Sequence, residues 1–364
     1  MGILATLLVL TACSRVTGPV PTEARTLNLY AWAEYFPDAM LRRFESETGI
    51  SVNYSFLDSN DVAETTLSAG HSGFDLVTVN ASPHLGRQIP KGLWLKLDKS
   101  KIPNLRNADP KILELLARVD PGNQFAVPWF WGTTGIIYNP DLVRAALPAA
   151  PFDSLGLVFD PALVARLKSC GVTVLDSWVD IMPMLARYLG QPDLSAAPQP
   201  LAEVSARFAA IRPFLKRVTT AGYYEQVARG ELCVAIGYSA DAMVARRRAA
   251  EAQWPVRIDF AQPREDVPVY IDSFAIPADA PHPENALRFI NFAMQADVSA
   301  EAATATGFAT ANAAAYARLD PGLRDNTIVY PSPATRARFW LGRSYSMDET
   351  RQFARSWLRM KTGT

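Results

Sequence analysis

The chain has 364 residues, 36 basic and 36 acidic side chains, a formal net charge of zero and 49% hydrophobic residues. That length is enough for two domains of ordinary size. The neutral balance argues against a general nucleic-acid binder, which carries a basic excess, and no segment after the first residues is long and apolar enough to cross a membrane.

Met1 to Cys13 is apolar and ends in Leu10-Thr11-Ala12-Cys13. It falls short of the roughly 20 apolar residues that span a bilayer and has the length of a signal-peptide core. Small residues before a Cys at the end of such a run read as a lipoprotein signal over 1–12, with Cys13 as the lipidated residue and a polar tether over 13–25. Residues 1–12 carry no Lys or Arg, a departure from the usual basic front. The other reading is an ordinary buried apolar N-terminus.

Leu27 to Tyr30 then reads as a strand that runs into Trp32, Ala33, Glu34 and Tyr35. Asp38 to Thr48 has Met40, Leu41 and Phe44 at helical spacing, with Gly49 as its stop. Ile50 to Phe56 alternates as a strand, Val62 to Ala69 is a short helix, and Phe74 to Val79 is a buried strand. This β-α-β-α-β run predicts a mostly parallel sheet with helices on both faces. Phe125 to Trp131 and Thr134 to Tyr138 read as paired strands around Gly132, crossing into a second lobe. Pro148 to Pro161 is Pro-rich and reads as a connecting loop. Helical patterns cover Pro161 to Lys168, Ile181 to Leu189 and Leu201 to Ile211. Leu232 to Gly237 is a buried strand followed by a loop and a helix. Tyr270 to Ile276 is another strand, Pro283 to Gln295 a helix, and the polar, basic stretch from Thr335 onward is helical.

Cys170 and Cys233 remain as an even pair. In an exported chain they read as a disulfide, worth roughly 3–4 kcal/mol for a loop of about 60 residues in the chain-entropy treatment. The alternative is two buried thiols. The three histidines, His71, His84 and His282, are scattered without metal-ligand spacing, so no metal and no cofactor is expected.

In open α/β sheets ligands bind beyond the carboxyl ends of the strands. The residues there are Trp32, Glu34 and Tyr35; Asn80 and Ser82; Asp180; Tyr238 and Asp241. Tyr270 and Asp272 sit within a late strand. The set is acidic and aromatic and lacks Arg and Lys. Carboxylates hold ammonium groups, and aromatic faces attract cations by about 0.5–2 kcal/mol each, whereas an anion needs Arg, Lys or helix N-termini. Each residue also has a bland reading. Trp32, Tyr238 and Tyr270 fit core aromatics, Asp241 a helix N-cap and Glu34 a solvated loop. A buried strand carboxylate such as Asp272 requires a partner, which in an empty cleft is water.

These residues, with Phe44-Glu-Ser-Glu-Thr-Gly-Ile50, Asp58-Ser-Asn60, Gly73-Phe-Asp-Leu-Val77, Leu97-Asp-Lys-Ser100, Thr133-Thr-Gly135, Ser169-Cys-Gly-Val172, Cys233-Val-Ala-Ile-Gly237 and Ile276-Pro-Ala-Asp-Ala280 in this order, give the chain a family likeness. It resembles the periplasmic polyamine-binding proteins of ABC importers, the putrescine-binding branch in particular, from Leu27 to the C-terminus. The resemblance implies a two-lobe periplasmic-binding-protein fold of type II, with mixed, mostly parallel sheets joined by crossing strands. One lobe would comprise 26–138 plus about 265–300, the other 139–264 plus about 301–364. It further implies that Trp32 forms an aromatic wall and that Tyr238 and Tyr270 sandwich a methylene chain. Asp241 and Asp272 would anchor one ammonium, with Glu34 or Asp180 toward the other. Ala33, Asn80 and Phe308 depart from the family pattern: Ala33 and Asn80 stand where hydroxyl residues are usual, and Phe308 where a Tyr would supply a phenol. These changes remove hydrogen-bonding groups around one amine and keep the acids.

The expectation is therefore a monomeric solute-binding lipoprotein, periplasmic or anchored facing the periplasm through Cys13, that holds a small cationic polyamine for an ABC permease. A membrane sensor as partner and another cationic amine as ligand are the rival readings. No nucleophile, base or cofactor motif supports an enzyme.

Overall fold

The computed structural model describes residues 23–33, 35–192, 194–195 and 197–363. The expected signal and lipidation site at Cys13, and Glu34, lie outside them. Among the described residues no helix is long and apolar enough to cross a membrane.

Eleven strands form one mixed sheet: β1 (Thr26–Ala31), β2 (Ser51–Phe56), β3 (Leu76–Asn80), β4 (Ala126–Tyr138), β5 (Val172–Val174), β6 (Arg217–Val218), β7 (Val234–Tyr238), β8 (Asp259–Ala261), β9 (Val267–Ala275), β10 (Ala309–Thr310) and β11 (Phe339–Trp340). The main order is β2-β1-β3-β9-β4-β7-β5-β6. β1 pairs parallel with β2 and β3, as the N-terminal β-α-β-α-β pattern predicts. β5 likewise pairs parallel with β6 and β7. The centre is antiparallel: β3 with β9, β9 with β4, β4 with β7.

The helix over Asp38–Thr48 buries Met40 and Phe44, and Gly49 closes it in the left-handed conformation (φ 69°). The largest departure from expectation is at Gly132. The two strands expected around it are one continuous thirteen-residue strand, β4, buried along nearly its whole length. Its first part pairs with β9 and its last part with β7 and β8. Gly132 makes no turn. A Cβ there would run into the Tyr270 hydroxyl and stand 2.8 Å from Ser239 Oγ. The residue is small because another side chain crosses over it, a use of strand glycine that sequence does not separate from a turn.

Two other boundaries also move. No loop separates β7 from the next helix, which begins at once over Ser239–Glu251. The stretch after Thr335 holds β11 before its helix, Met347–Thr362, starts with a capping box of Ser346 and Glu349. The loop after Pro148 contains a short buried helix, Gly156–Phe159.

The buried residues form two cores. The first gathers β1 to β3, β4 as far as Trp131, β9 and the helices Asp38–Thr48 and Pro283–Ala293. The second gathers β4 from Ile136, β5, β7 and the helices Pro161–Leu167, Trp178–Tyr188 and Pro198–Ile211. The chain passes between cores inside β4, between Phe260 and Val267, and again near Trp340 and Leu341. Ala302 to Leu323 packs in the first core and Tyr345 to Met360 in the second, so the stretch 301–364, expected to belong to one lobe, is divided between both.

Cys170 and Cys233 are joined by a disulfide, with Cα atoms 5.4 Å apart. It ties the segment before β5 to the start of β7, beside the backbone hydrogen bond from Cys233 N–H to Gly171 O (2.9 Å).

Candidate functional site

Between the two cores lies a cavity of about 460 Å³. Ten predicted side chains line it: Trp32, Tyr35, Asn80, Ser82, Asp180, Tyr238, Asp241, Tyr270, Asp272 and Phe308. The fold explains the convergence. Trp32 and Tyr35 follow β1, Asn80 ends β3 and Tyr238 ends β7. Asp180 and Asp241 each sit in the first turn of a helix, Trp178–Tyr188 and Ser239–Glu251. Tyr270 and Asp272 project from β9, paired across from Gly132 and Phe130 of β4.

Each of the three carboxylates takes a hydrogen bond from a tyrosine. Tyr35 Oη donates to Asp272 Oδ2 (2.6 Å) and Asn80 Nδ2 donates to Asp272 Oδ1 (3.2 Å). Asp272 is 4% exposed, and Tyr35 and Asn80 supply it with protein partners. Asn80 faces it directly across the β3–β9 register. Asn80, expected from the family likeness to remove a hydrogen-bonding group, thus supplies an amide to a buried acid. Tyr238 Oη donates to Asp180 Oδ2 (2.9 Å), which also accepts from Ser177 Oγ. Tyr223 Oη donates to Asp241 Oδ2 (2.6 Å). Asp241 is not an N-cap; Tyr238 holds that position without a side-chain cap.

Burial pushes all three carboxyls upward, Asp241 to about 6. The hydrogen bonds from tyrosine, serine and asparagine oppose the shift without cancelling it. These donors are neutral, and no ion pair reaches any of the three among the described residues. Among the described residues no Lys or Arg lines the cavity. Among those residues the acids thus have no Lys or Arg partner, and His84 on the wall is the basic group that acts on Asp180 and Asp272; desolvated carboxylates of this kind are stabilised in their ionised form by a cation.

The apolar wall is aromatic. Tyr238 and Tyr270 meet edge to face with centroids 5.5 Å apart. Phe308 lies edge-on to Tyr35 at 5.2 Å and to Phe130 at 5.5 Å. Without a hydroxyl, Phe308 offers the cavity only its ring.

Residues 23–300 match the family described as bacterial extracellular solute-binding protein. The chain belongs to that family. This solute-binding protein is 39% identical to the putrescine-binding periplasmic protein SpuD of Pseudomonas aeruginosa over 98% of each chain. It is 38% identical to the putrescine-binding periplasmic protein PotF of Escherichia coli, covering 95% of this chain and 94% of that one. Among solved structures it is similar to the TpPotD lipoprotein of Treponema pallidum, with a TM-score of 0.78 at 27% identity, covering 93% of this chain and 99% of that one. Family membership agrees with the expectation of a binding protein rather than an enzyme and with the two-lobe fold class.

The solute-binding protein's cavity also holds residues that sequence reasoning left out: Asn60, Thr134, Ser177, Thr220, Trp340 and His84. Thr134 lies within β4, at the start of the second of the two strands expected there, and Trp340 arrives from β11, some 300 residues after β1. No local signal marks either. His84 joins Asp61 and Glu64 in a set with metal-ligating atoms close together. Arg87 already bonds Glu64 (2.7 Å) and Asp61 (2.7 Å), and Lys91 bonds Glu64 (2.6 Å). Burial would raise the Glu64 carboxyl, but hydrogen bonds from His84, Lys91 and Arg87 hold it well below its usual range. With two cations in place, the cluster is a salt-bridged rim and a poor fit for a metal ion.

Proposed function

We propose that this solute-binding protein captures a linear polyamine, putrescine or spermidine, and delivers it to an ABC importer. The observation that carries the reading is the set of three buried carboxylates, Asp180, Asp241 and Asp272, held by neutral donors in an aromatic cavity that no Lys or Arg among the described residues lines. An anionic ligand would leave those acids uncompensated, and the carboxylate of an amino acid would meet no Lys or Arg among the described lining residues. A flexible chain with an ammonium at each end supplies the missing charge, and its methylenes suit the rings. The names of two relatives, both putrescine-binding periplasmic proteins, favour the same class.

In this reading Asp241 and Asp272 anchor one ammonium, while Glu34 or Asp180 serves the other. Trp32, Tyr238, Tyr270 and Phe308 enclose the carbon chain, and Tyr35, Asn80 and Ser82 orient the acids and the rim. The two lobes close on the ligand, and the ligand favours the closed form by binding it more tightly. The protein works as a monomer in the periplasm, tethered through lipidated Cys13.

The test is a thermal-shift panel on residues 26–364, freed of copurified ligand, with putrescine, cadaverine, spermidine, spermine, agmatine and basic amino acids. A native-state ligand at one hundred times its Kd adds about 2.7 kcal/mol of stability. A large shift with one or two polyamines is expected. No shift with any of them overturns the reading. Release of the full-length protein from membranes by Cys13→Ala tests the tether.

A further inference from the structure

We propose that Tyr223, which does not touch the cavity, is the positioning residue of its cation site: its hydroxyl fixes the Asp241 carboxylate and locks it to the end of β7. The inference rests on the polyamine-binding reading above and names a determinant of that same site.

The direction of the hydrogen bonds is set by chemistry. Tyr223 Oη lies 3.0 Å from the Tyr238 backbone N–H and 2.6 Å from Asp241 Oδ2. A backbone N–H only donates, so the phenol oxygen accepts there, and its single proton goes to Asp241. Tyr223 is fully buried. It opens the helix Tyr223–Ala228, and its ring fills space that exists because residue 237 is glycine. A Cβ at Gly237 would overlap the Tyr223 ring and hydroxyl. The donor is therefore held by packing on one side and by backbone on the other, with no rotational freedom to spend when a ligand arrives.

The consequence reaches two acids. Tyr223 holds Oδ2 of Asp241, while Asp241 Oδ1 takes no protein hydrogen bond among the described residues and remains for an ammonium. The backbone that Tyr223 accepts from belongs to Tyr238, whose own hydroxyl donates to Asp180. Asp241 and Asp180 are thus referenced to one strand end.

Besides Asp180 and Asp272, the acids that share its cavity, the titratable groups acting on Asp241 are Tyr223 from its helix, Tyr238 from β7, Tyr270 from β9 and Tyr35 from the loop after β1. These tyrosines are phenols that stay protonated, and of them Tyr223 is the one that hydrogen-bonds Asp241. Without that donor the carboxyl keeps its proton to higher pH, and a protonated acid no longer attracts an ammonium.

Putrescine affinity is measured by calorimetry from about pH 5 to 8 on wild type, Tyr223→Phe, Asp241→Asn and the double variant. Tyr223→Phe keeps the ring beside Gly237. We expect it to weaken binding roughly 10- to 100-fold at neutral pH, the range for losing a hydrogen bond to a charged group. The pH at which binding is half lost should move upward, and the double variant should bind no worse than Asp241→Asn alone. A loss that is equal at every pH and persists in the Asp241→Asn background would mean a purely structural role and overturns the inference. Unchanged affinity and pH midpoint overturn it too. Should Tyr223→Phe fail to fold, 3-fluorotyrosine at 223 keeps both hydrogen bonds and donates more strongly. It should shift the midpoint downward, and an unmoved midpoint counts against the proposal. If wild type binds no polyamine the functional reading falls with this one; if wild type binds and the variants match it, this inference alone fails.

Discussion

The acid that binds should also be the acid that destabilises the empty protein, and Asp241 makes this measurable. Its carboxyl is pushed by burial from 3.8 to about 6, against the pull of the Tyr223 hydrogen bond. Between those two values the native protein binds a proton that the unfolded chain releases. The stability this group supplies below pH 3.8 is therefore lost as pH rises through about 6. A carboxyl raised from 3.8 to about 6 costs on the order of 3 kcal/mol at neutral pH. Asp241→Asn removes the charge and keeps an acceptor for Tyr223. Because a neutral acceptor takes a weaker bond from the phenol, the net gain for the ligand-free protein at about pH 7.5 should be about 1–3 kcal/mol. The assay is urea denaturation of ligand-free protein from about pH 4 to 8, on wild type and variant. Wild-type stability should fall across the window while the variant's curve is flatter, and the two should converge at low pH. In parallel, calorimetry should show putrescine binding weakened about 10²-fold or more, since a buried charge is left without its partner. A variant less stable than wild type at neutral pH, with an unchanged pH slope, would refute the claim that desolvation dominates at this carboxyl.

Asp272→Ala should abolish micromolar putrescine binding, and near-normal calorimetric affinity would remove Asp272 from the site. Gly132→Ala should push Tyr270 off β4; overpacking of this kind costs about 1–3 kcal/mol, so a lower melting temperature together with weakened ligand binding is expected, and a silent substitution would show that the close approach is unimportant. Reduction should add two hydrogens to the intact mass and lower stability by about 3–4 kcal/mol for the Cys170–Cys233 loop, read from denaturation with and without reductant. Phe308→Tyr should leave the fold intact and change the preference among diamines and triamines in the thermal-shift panel, because it adds a hydroxyl at the cavity wall without altering its shape.

The sequence by itself determined the local elements and the chemistry of the site. The helix at Asp38–Thr48, its glycine stop and the parallel strands around it follow from apolar spacing and capping, which are properties of neighbouring residues. Placement after strand ends was enough to nominate Trp32, Tyr35, Asn80, Asp180, Tyr238 and Asp241, because parallel strands all deliver their carboxyl ends to one edge. What only the tertiary structure decided are the partnerships. Asp272 faces Asn80 through the β3–β9 register and Tyr35 across 237 residues of chain. Gly132 is small because of Tyr270, and Gly237 because of Tyr223. Trp340 closes the wall from a strand near the C-terminus. Local pattern reports which face of an element is buried. It does not report which distant group shares that burial, and for a carboxylate out of water that second group sets the charge it carries.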